Sequence, residues 1–207
     1  MTNIAIIGSG RIASGLAPGW VAAGHTVTIG SRNPASIDAP AGTTVVAQAE
    51  GLSDAEVVAI AIPYGTVERF ARDNADALRG VIVIDASNPM RGLIEGGISG
   101  AQVTANAIGD GARVVAAFKS TFFNTLTEPV GPSGQQRDVW FAGADQEARN
   151  VTGSLIADLG FRPVDCGGMD NTVCLDLLVP MMIDLNGRVD GDRQISWSVL
   201  ELPGGNS

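Results

Sequence analysis

The residues of this chain with the most readable chemistry stand near its start, in "IAIIGSGRIASGLA" from Ile4. Gly8, Gly10 and Ala13 form a GxGxxA pattern in which each position has a physical reason. The first glycine permits a tight turn, the second lets backbone approach a pyrophosphate, and the alanine allows a following helix to pack closely. Phosphate charge would then sit at a helix N-terminus, against N–H groups that have no partner within the helix. Alone the pattern is weak, because glycines punctuate many turns; here it follows one strand-like run and precedes another, "TVTIGSRNP" from Thr26. In the NAD form of such a site a carboxylate stands about 20 residues past the glycines and bonds the ribose 2′-hydroxyl. That place reads Gly30, Ser31, Arg32, Asn33, and no carboxylate comes before Asp38. A hydroxyl and a guanidinium attract a 2′-phosphate that a carboxylate would repel, so Ser31 and Arg32 predict NADP(H) rather than NAD, with Arg11 adding charge from the loop.

What the chain lacks narrows the chemistry further. His25 is its single histidine and falls in the turn before the second strand, where an ordinary turn role is expected. A histidine-based triad and a multi-histidine metal site are therefore excluded. Asp85, Asp165 and Asp176 do not stand at ligand spacing, and no metal is expected. Cys166 and Cys174 lack a CxxC spacing, which points to inert thiols in a reducing compartment. With 13 basic and 22 acidic residues the formal charge is −9, which does not suit nucleic acid. An anionic ligand must be held by local amides and arginines against that field. The longest apolar stretch, "VCLDLLVPMMIDL", is broken by Asp176, Pro180 and Asp184, so no membrane span is expected. Met1 leads into a strand-like run without signal-peptide flanks, and a cytoplasmic protein is the expectation.

The elements that must position these residues alternate along the chain. Short β-branched runs ("NIAIIG", "TVTIGS", "TTVVA", "EVVAIAIP", "VIVIDAS", "RVVAAF", "DVWFAG", "FRPVDCG") are separated by helical periodicity. Continuously apolar strands between helices predict an α/β, Rossmann-type, doubly wound and mostly parallel sheet. The length suits one NADP-binding domain over 1–207, in which about 167–207 forms a short C-terminal helix and strand extension. A first helix puts Ile12, Leu16, Trp20 and Ala23 on one face, with a bend expected at Pro18. Further helices are expected over 67–78, 101–108, 146–160 and 171–185, and "ISWSVLE" alternates like a terminal strand that could join a partner's sheet edge. The glycine-rich "RGLIEGGISG" is either a loop that closes over a ligand or a surface connection, and "LPGGNS" reads as frayed.

Together "IGSGRIASGLA", "GHTVTIGSRNP", "AIPYGTVE", "VIDASNP", "RVVAAF" and "GFRPVDCGG" give the chain, over nearly its whole length, a resemblance to the F420-dependent NADP reductases and related short NADP oxidoreductases. The run "GSR" after the second strand is its most specific element. The resemblance implies a homodimer that moves hydride between NADP(H) and the deazaflavin coenzyme F420 or a flavin-like small-molecule redox acceptor. By motif it implies pyrophosphate contacts at Ser9, Gly10, Arg11 and Ile12 and 2′-phosphate contacts at Ser31 and Arg32. Further NADP contacts are implied at Ile62, Thr66, Asn88 and Ala117. The chain departs from the family pattern in three places. Ser36 stands where some members have a second basic residue, Lys119 where a His or Asn is common, and Val173–Cys174 where an Arg-Leu pair is usual.

Hydride transfer between two ring carriers needs stacking, a short donor–acceptor distance and excluded water more than a strong acid. No catalytic residue is assigned on that reading. Reduction of a carbonyl or imine would want a proton donor, for which Lys119, Tyr64 and Asp176 are candidates. Lys119 could equally be a surface lysine, Tyr64 a lid or simple packing, and Phe118, Phe122 and Phe123 either an apolar wall for a flat ring or core. Three readings stand: an F420 or flavin-type NADPH oxidoreductase, a small carbonyl or imine reductase, and an NADP-sensing protein without turnover.

Overall fold

Each of the eight short β-branched runs singled out in the sequence holds a strand of one sheet in the computed structural model, which describes residues 1–89, 96–189 and 192–200. The strands are β1 (Asn3–Ile7), β2 (Thr26–Ser31), β3 (Thr43–Ala47), β4 (Val57–Ile60), β5 (Ile82–Asp85), β6 (Arg113–Ala116), β7 (Asp138–Gly143) and β8 (Arg162–Asp165). Their order is β3-β2-β1-β4-β5-β6-β7-β8. All neighbours are parallel except β6 and β7, which run antiparallel with Val115 opposite Gly143 and Ala116 opposite Ala142. The order reverses between β1 and β4, and a crevice opens at the strand C-termini there.

Both faces are covered, which is why the central strands are apolar on every residue rather than on alternate ones. On one side α1 (Arg11–Ala22) and α5 (Gln146–Asp158) bury Leu16, Trp20, Leu155 and Ile156. Trp20 Nε1 donates to the Leu155 carbonyl at 3.0 Å, and a Cβ on Gly19 would lie 2.5 Å from Leu159 Cδ2. A side chain at Gly19 would require Leu159 to shift its rotamer, and the helix continues through Pro18 to Ala22. On the other side α2 (Val67–Asp73), α3 (Ala75–Leu78) and α4 (Gly100–Ile108) bury Phe70, Leu78 and Ile108. A last helix, α6 (Thr172–Arg188), begins beside α4, where Thr172 Oγ1 and Ser99 Oγ are 2.6 Å apart, and ends beside Phe122 and Phe123.

Two expectations need correction. The helix expected over 67–78 is two short helices parted at Asn74, whose amide Nδ2 donates to the Phe70 carbonyl at 2.8 Å while its own backbone leaves helical geometry. A short polar side chain competes with the helix for its carbonyls. The terminal strand expected from "ISWSVLE" is also absent among the described residues. Side chains from the sheet take its backbone groups instead: Arg137 Nη1 donates to the Gln194 carbonyl (2.7 Å), Arg162 Nη2 to the Val199 carbonyl (2.6 Å), and Val199 N donates to Asp138 Oδ2 (2.8 Å). Of the glycine-rich connection at 91–100, residues 91–95 lie outside the described residues, and its end forms the Ser99 N-cap and first residue of α4; "LPGGNS" at 202–207 also lies outside the described residues. His25 stands in its turn and lies 3.1 Å from Asp158 Oδ2, joining that turn to the end of α5.

Candidate functional site

The turn from β1 into α1 is built around two glycines with different demands. Gly8 has φ +119°, and a Cβ there would stand 2.4 Å from the Ala61 carbonyl oxygen, so this turn passes against β4 as no side chain would allow. Gly10 has nothing within 4 Å of the place its Cβ would take. That open side, in front of an α1 N-terminus whose N-cap Gly10 has no side chain to bond it, is a cradle for an anion. Ser9 Oγ lies 3.2 Å from Ser31 Oγ, which in turn accepts from Asn33 N at 3.2 Å, so the glycine turn and the end of β2 are held together.

These residues open on a cavity of about 590 Å³ lined by Gly8, Ser9, Gly10, Ile12, Ser31, Arg32, Ile62, Tyr64 and Asn88 among others. Two further cavities continue from its ends. One, about 450 Å³, shares Arg32, Gln48, Ile62 and Pro63 with it and adds Thr66 and the face of α2. The other, about 370 Å³, shares Ile12 and Asn88 and adds Thr121, Phe122, Phe123 and the α6 residues Val179, Ile183, Asn186 and Gly187. Asn88 Oδ1 and Thr121 Oγ1 are buried at this second junction without a hydrogen-bond partner among the described residues. Buried polar atoms of this kind are normally satisfied, and here a bound ligand can satisfy them.

Most of the residues singled out in the sequence are thus brought to one continuous groove. Arg32 is exposed, with no ion-pair partner among the described residues. Arg11 is not among the residues that line these cavities: its guanidinium lies over the Phe123 ring, 4.6 Å from the centroid, and Arg193 lies over the same ring at 5.4 Å. Ala117 is fully buried in the core and lines none of these cavities; its N–H donates to the Asp85 carbonyl, extending the β5 pairing by one residue. Phe118 is core too, edge-on to Trp20 at 6.1 Å, and only Phe122 and Phe123 of the three phenylalanines face the groove.

Lys119 is not a surface lysine. Its side chain is 0% exposed, its ammonium lies 2.8 Å from Asp176 Oδ1 and 3.8 Å from Asp85 Oδ1, and it donates to the Ser87 carbonyl. Asp85 Oδ1 also accepts from Ser87 N (2.8 Å) and Ser87 Oγ (2.6 Å), and Thr104 Oγ1 donates to its Oδ2 (3.1 Å). Asp176 Oδ2 accepts from Gly100 N at 2.7 Å. This network ties β5, α4 and α6 directly behind Asn88, and the sequence reading missed it. A signal was present: Asp85 closes a wholly apolar strand, and a carboxylate there demands a buried partner. Of the three candidate proton donors, Tyr64 lines the groove, while Lys119 and Asp176 lie behind its wall. The described residues hold no His, Cys, Asp or Glu cluster able to take a metal ion, and no helix among them is long and apolar enough to cross a membrane.

Comparison with known proteins gives this groove a context. A family model described as NADP oxidoreductase, coenzyme F420-dependent, matches residues 3–89. The F420-dependent NADP reductase of Methanothermobacter marburgensis is 28% identical over 208 residues, which cover 89% of this chain and 92% of that protein. The metalloreductase STEAP3 of Rattus norvegicus is 30% identical over 173 residues, covering 81% of this chain but 34% of that protein. Among solved structures, the hypothetical protein SMa0349 of Sinorhizobium meliloti is similar with TM-score 0.72 and 32% identity, over 82% of this chain and 86% of that one. A structure from Arthrobacter sp. FB24, described as a candidate F420-dependent NADP-reductase, superposes with TM-score 0.84 at 22% identity over 97% of this chain and 100% of that chain. At that identity the likeness speaks for the fold.

Proposed function

We propose that this chain, similar over residues 3–89 to the coenzyme F420-dependent NADP oxidoreductases and over most of its length to an F420-dependent NADP reductase, transfers hydride between NADP(H) and F420. The observation that carries the reading is the groove's second junction. The cavity beyond Asn88 has apolar walls of Ile12, Phe122, Phe123, Val179 and Ile183 with Thr121, Asn186 and Arg193 among them, and no carboxylate, lysine or histidine is among the described residues that line it. Flat apolar walls suit a stacked ring, and a missing acid is tolerable where the reaction is hydride passage between two rings.

In this reading the Gly8–Gly10 turn and the N-terminus of α1 hold the pyrophosphate, with Ser9 and Ile12 beside it. Ser31 and Arg32 hold the 2′-phosphate, Ile62 and Thr66 flank the adenosine end, and Asn88 orients the nicotinamide end through its unpaired Oδ1. NADPH supplies the hydride, and oxidised F420 takes that hydride together with one proton. Phe122 and Phe123 exclude water from the acceptor side, and Lys119 positions the Ser87–Asn88 peptide by holding the Ser87 carbonyl. Residues 1–207 act as one domain, and α6 does the work for which larger reductases use a separate domain.

We propose further that the protein is a cytoplasmic homodimer joined through α6. Leu177, Met181 and Leu185 repeat at helical spacing and are 54%, 46% and 38% exposed, a stripe that water does not favour. Cys166 and Cys174 are both free thiols, which suits a reducing compartment.

The test is to mix the protein with NADPH and oxidised F420 and follow the deazaflavin absorbance, with FMN, FAD and simple imines as parallel acceptors. Bleaching of F420 alone is the expected result. Turnover of an imine with F420 inert would select a carbonyl or imine reductase, and that activity should fall in Tyr64→Phe. Tight NADPH binding with every acceptor silent would leave a sensor.

A further inference from the structure

We propose that Arg69 on α2 is a second cation for the adenosine 2′-phosphate, sharing the adenosine cavity with Arg32 and setting preference for NADP over NAD. The proposal rests on the NADP reading above and deepens it. With the pyrophosphate at Gly8–Gly10 and the nicotinamide end at Asn88, the adenosine end must run the other way, past Ser31 and Arg32. There it enters the 450 Å³ cavity, which is lined by Arg32 and Gln48 and, from α2, by Arg69, Phe70 and Asp73.

The electrostatics call for such a group. A phosphate monoester carries close to two negative charges at neutral pH, in the field of a chain whose formal charge is −9. Arg32 supplies one positive charge against nearly two negative ones. The loop after β2 offers no other cation: Ser36 stands there with its hydroxyl turned onto the Asn33 carbonyl at 2.9 Å. Arg69 is available. Its partner Asp73 lies 3.4 Å from Nε, the two side chains are 88% and 60% exposed, and an ion pair of that kind holds weakly. A phosphate dianion offers Arg69 charge-assisted bonds that outcompete Asp73. Asp73 sharpens the effect, because it lines the same cavity and repels phosphate once Arg69 is gone.

An arginine in this cavity could instead stack on the adenine ring, and the two roles give different results. Stacking would serve NADPH and NADH alike, whereas phosphate binding serves NADPH alone. Titration of Arg69→Ala and Arg69→Lys with NADPH and NADH, followed by nucleotide fluorescence, separates them. Arg69→Ala should raise the NADPH Kd about tenfold and leave the NADH Kd within about twofold, and Arg69→Lys should recover much of the loss. Arg69 is so exposed that both variants should fold as the parent does. Equal weakening for the two nucleotides, or no weakening, would overturn the proposal. Equal affinity of the unaltered protein for NADPH and NADH would overturn the NADP reading and this proposal with it. A failure to turn over F420 leaves the binding result standing.

Discussion

An ammonium group without exposed surface survives only where its charge is balanced on the spot, and Lys119 meets that condition with Asp176 and Asp85. Replacing it by Met leaves two buried carboxylates without their cation. The expected loss is about 3–5 kcal/mol in urea unfolding, and Lys119→Met combined with Asp176→Leu should recover part of it. A loss no larger than a surface substitution gives would contradict the buried pair. At the other end of the groove, Arg32→Glu should cost NADPH binding about 2–4 kcal/mol while NADH changes little, which parallel titrations would show. The two residues differ in legibility for a physical reason. Arg32's place on the groove could be read from sequence because it follows from standing at a strand end, a local property. Lys119 could not, because its burial depends on a carboxylate delivered by a helix far along the chain.

At the scale of elements, carboxylates at turning points hold helices and tail in place. Asp145 is the N-cap of α5: it accepts from Ala148 N at 2.7 Å and pairs with Arg113 at 3.0 Å. The Ala148 N–H first, and Arg113 after it, hold its carboxyl below the usual range. Burial pushes Asp138 up, but the bonds from Arg162 and the Val199 N–H outweigh it and the net shift is downward. Both groups therefore bind protons less readily folded than unfolded. Their contribution is fully present above the ordinary carboxylate pKa of about 4 and is lost as pH falls through the lower folded values. Tm measured from neutral pH downward should drop below that point. Asp145→Ala should cost about 1 kcal/mol at neutral pH and make the acid slope shallower; an unchanged slope would rule the cap out as its source. The strands were legible as elements because an apolar run buried on both faces has few alternatives. The tail was misread because the backbone of Val199 bonds to the side chains of Arg162 and Asp138 rather than to a neighbouring strand.

For the whole molecule, the parallel doubly wound order followed from strands alternating with helices, but the reversal at β7 did not, since residue patterns carry no strand direction. Assembly belongs to this scale as well. If α6 joins two copies, Met181→Glu should convert a dimer into a monomer in light scattering, with NADPH affinity retained because Met181 lines none of the groove's cavities. A dimer unaffected by the change would place the interface elsewhere.

The reversal has a consequence for how the molecule opens. Where β4 and β5 pair along four residues each, β6 and β7 meet at Val115 with Gly143 and at Ala116 with Ala142, and beyond that point Trp140 N is held by Ser120 Oγ. A sheet with so short a seam has a place to part short of global unfolding. Native-state amide hydrogen exchange should find β1, β4 and β5 protected up to the full unfolding free energy, with β7, β8 and α6 exchanging together at a lower one. Because α6 walls one cavity while Ile12 and Asn88 belong to the other side of the seam, an acceptor seated between them would bridge the two units. Its binding should slow exchange in β7 and β8, strands it does not touch, and an unchanged rate there would mean that the sheet opens as one body.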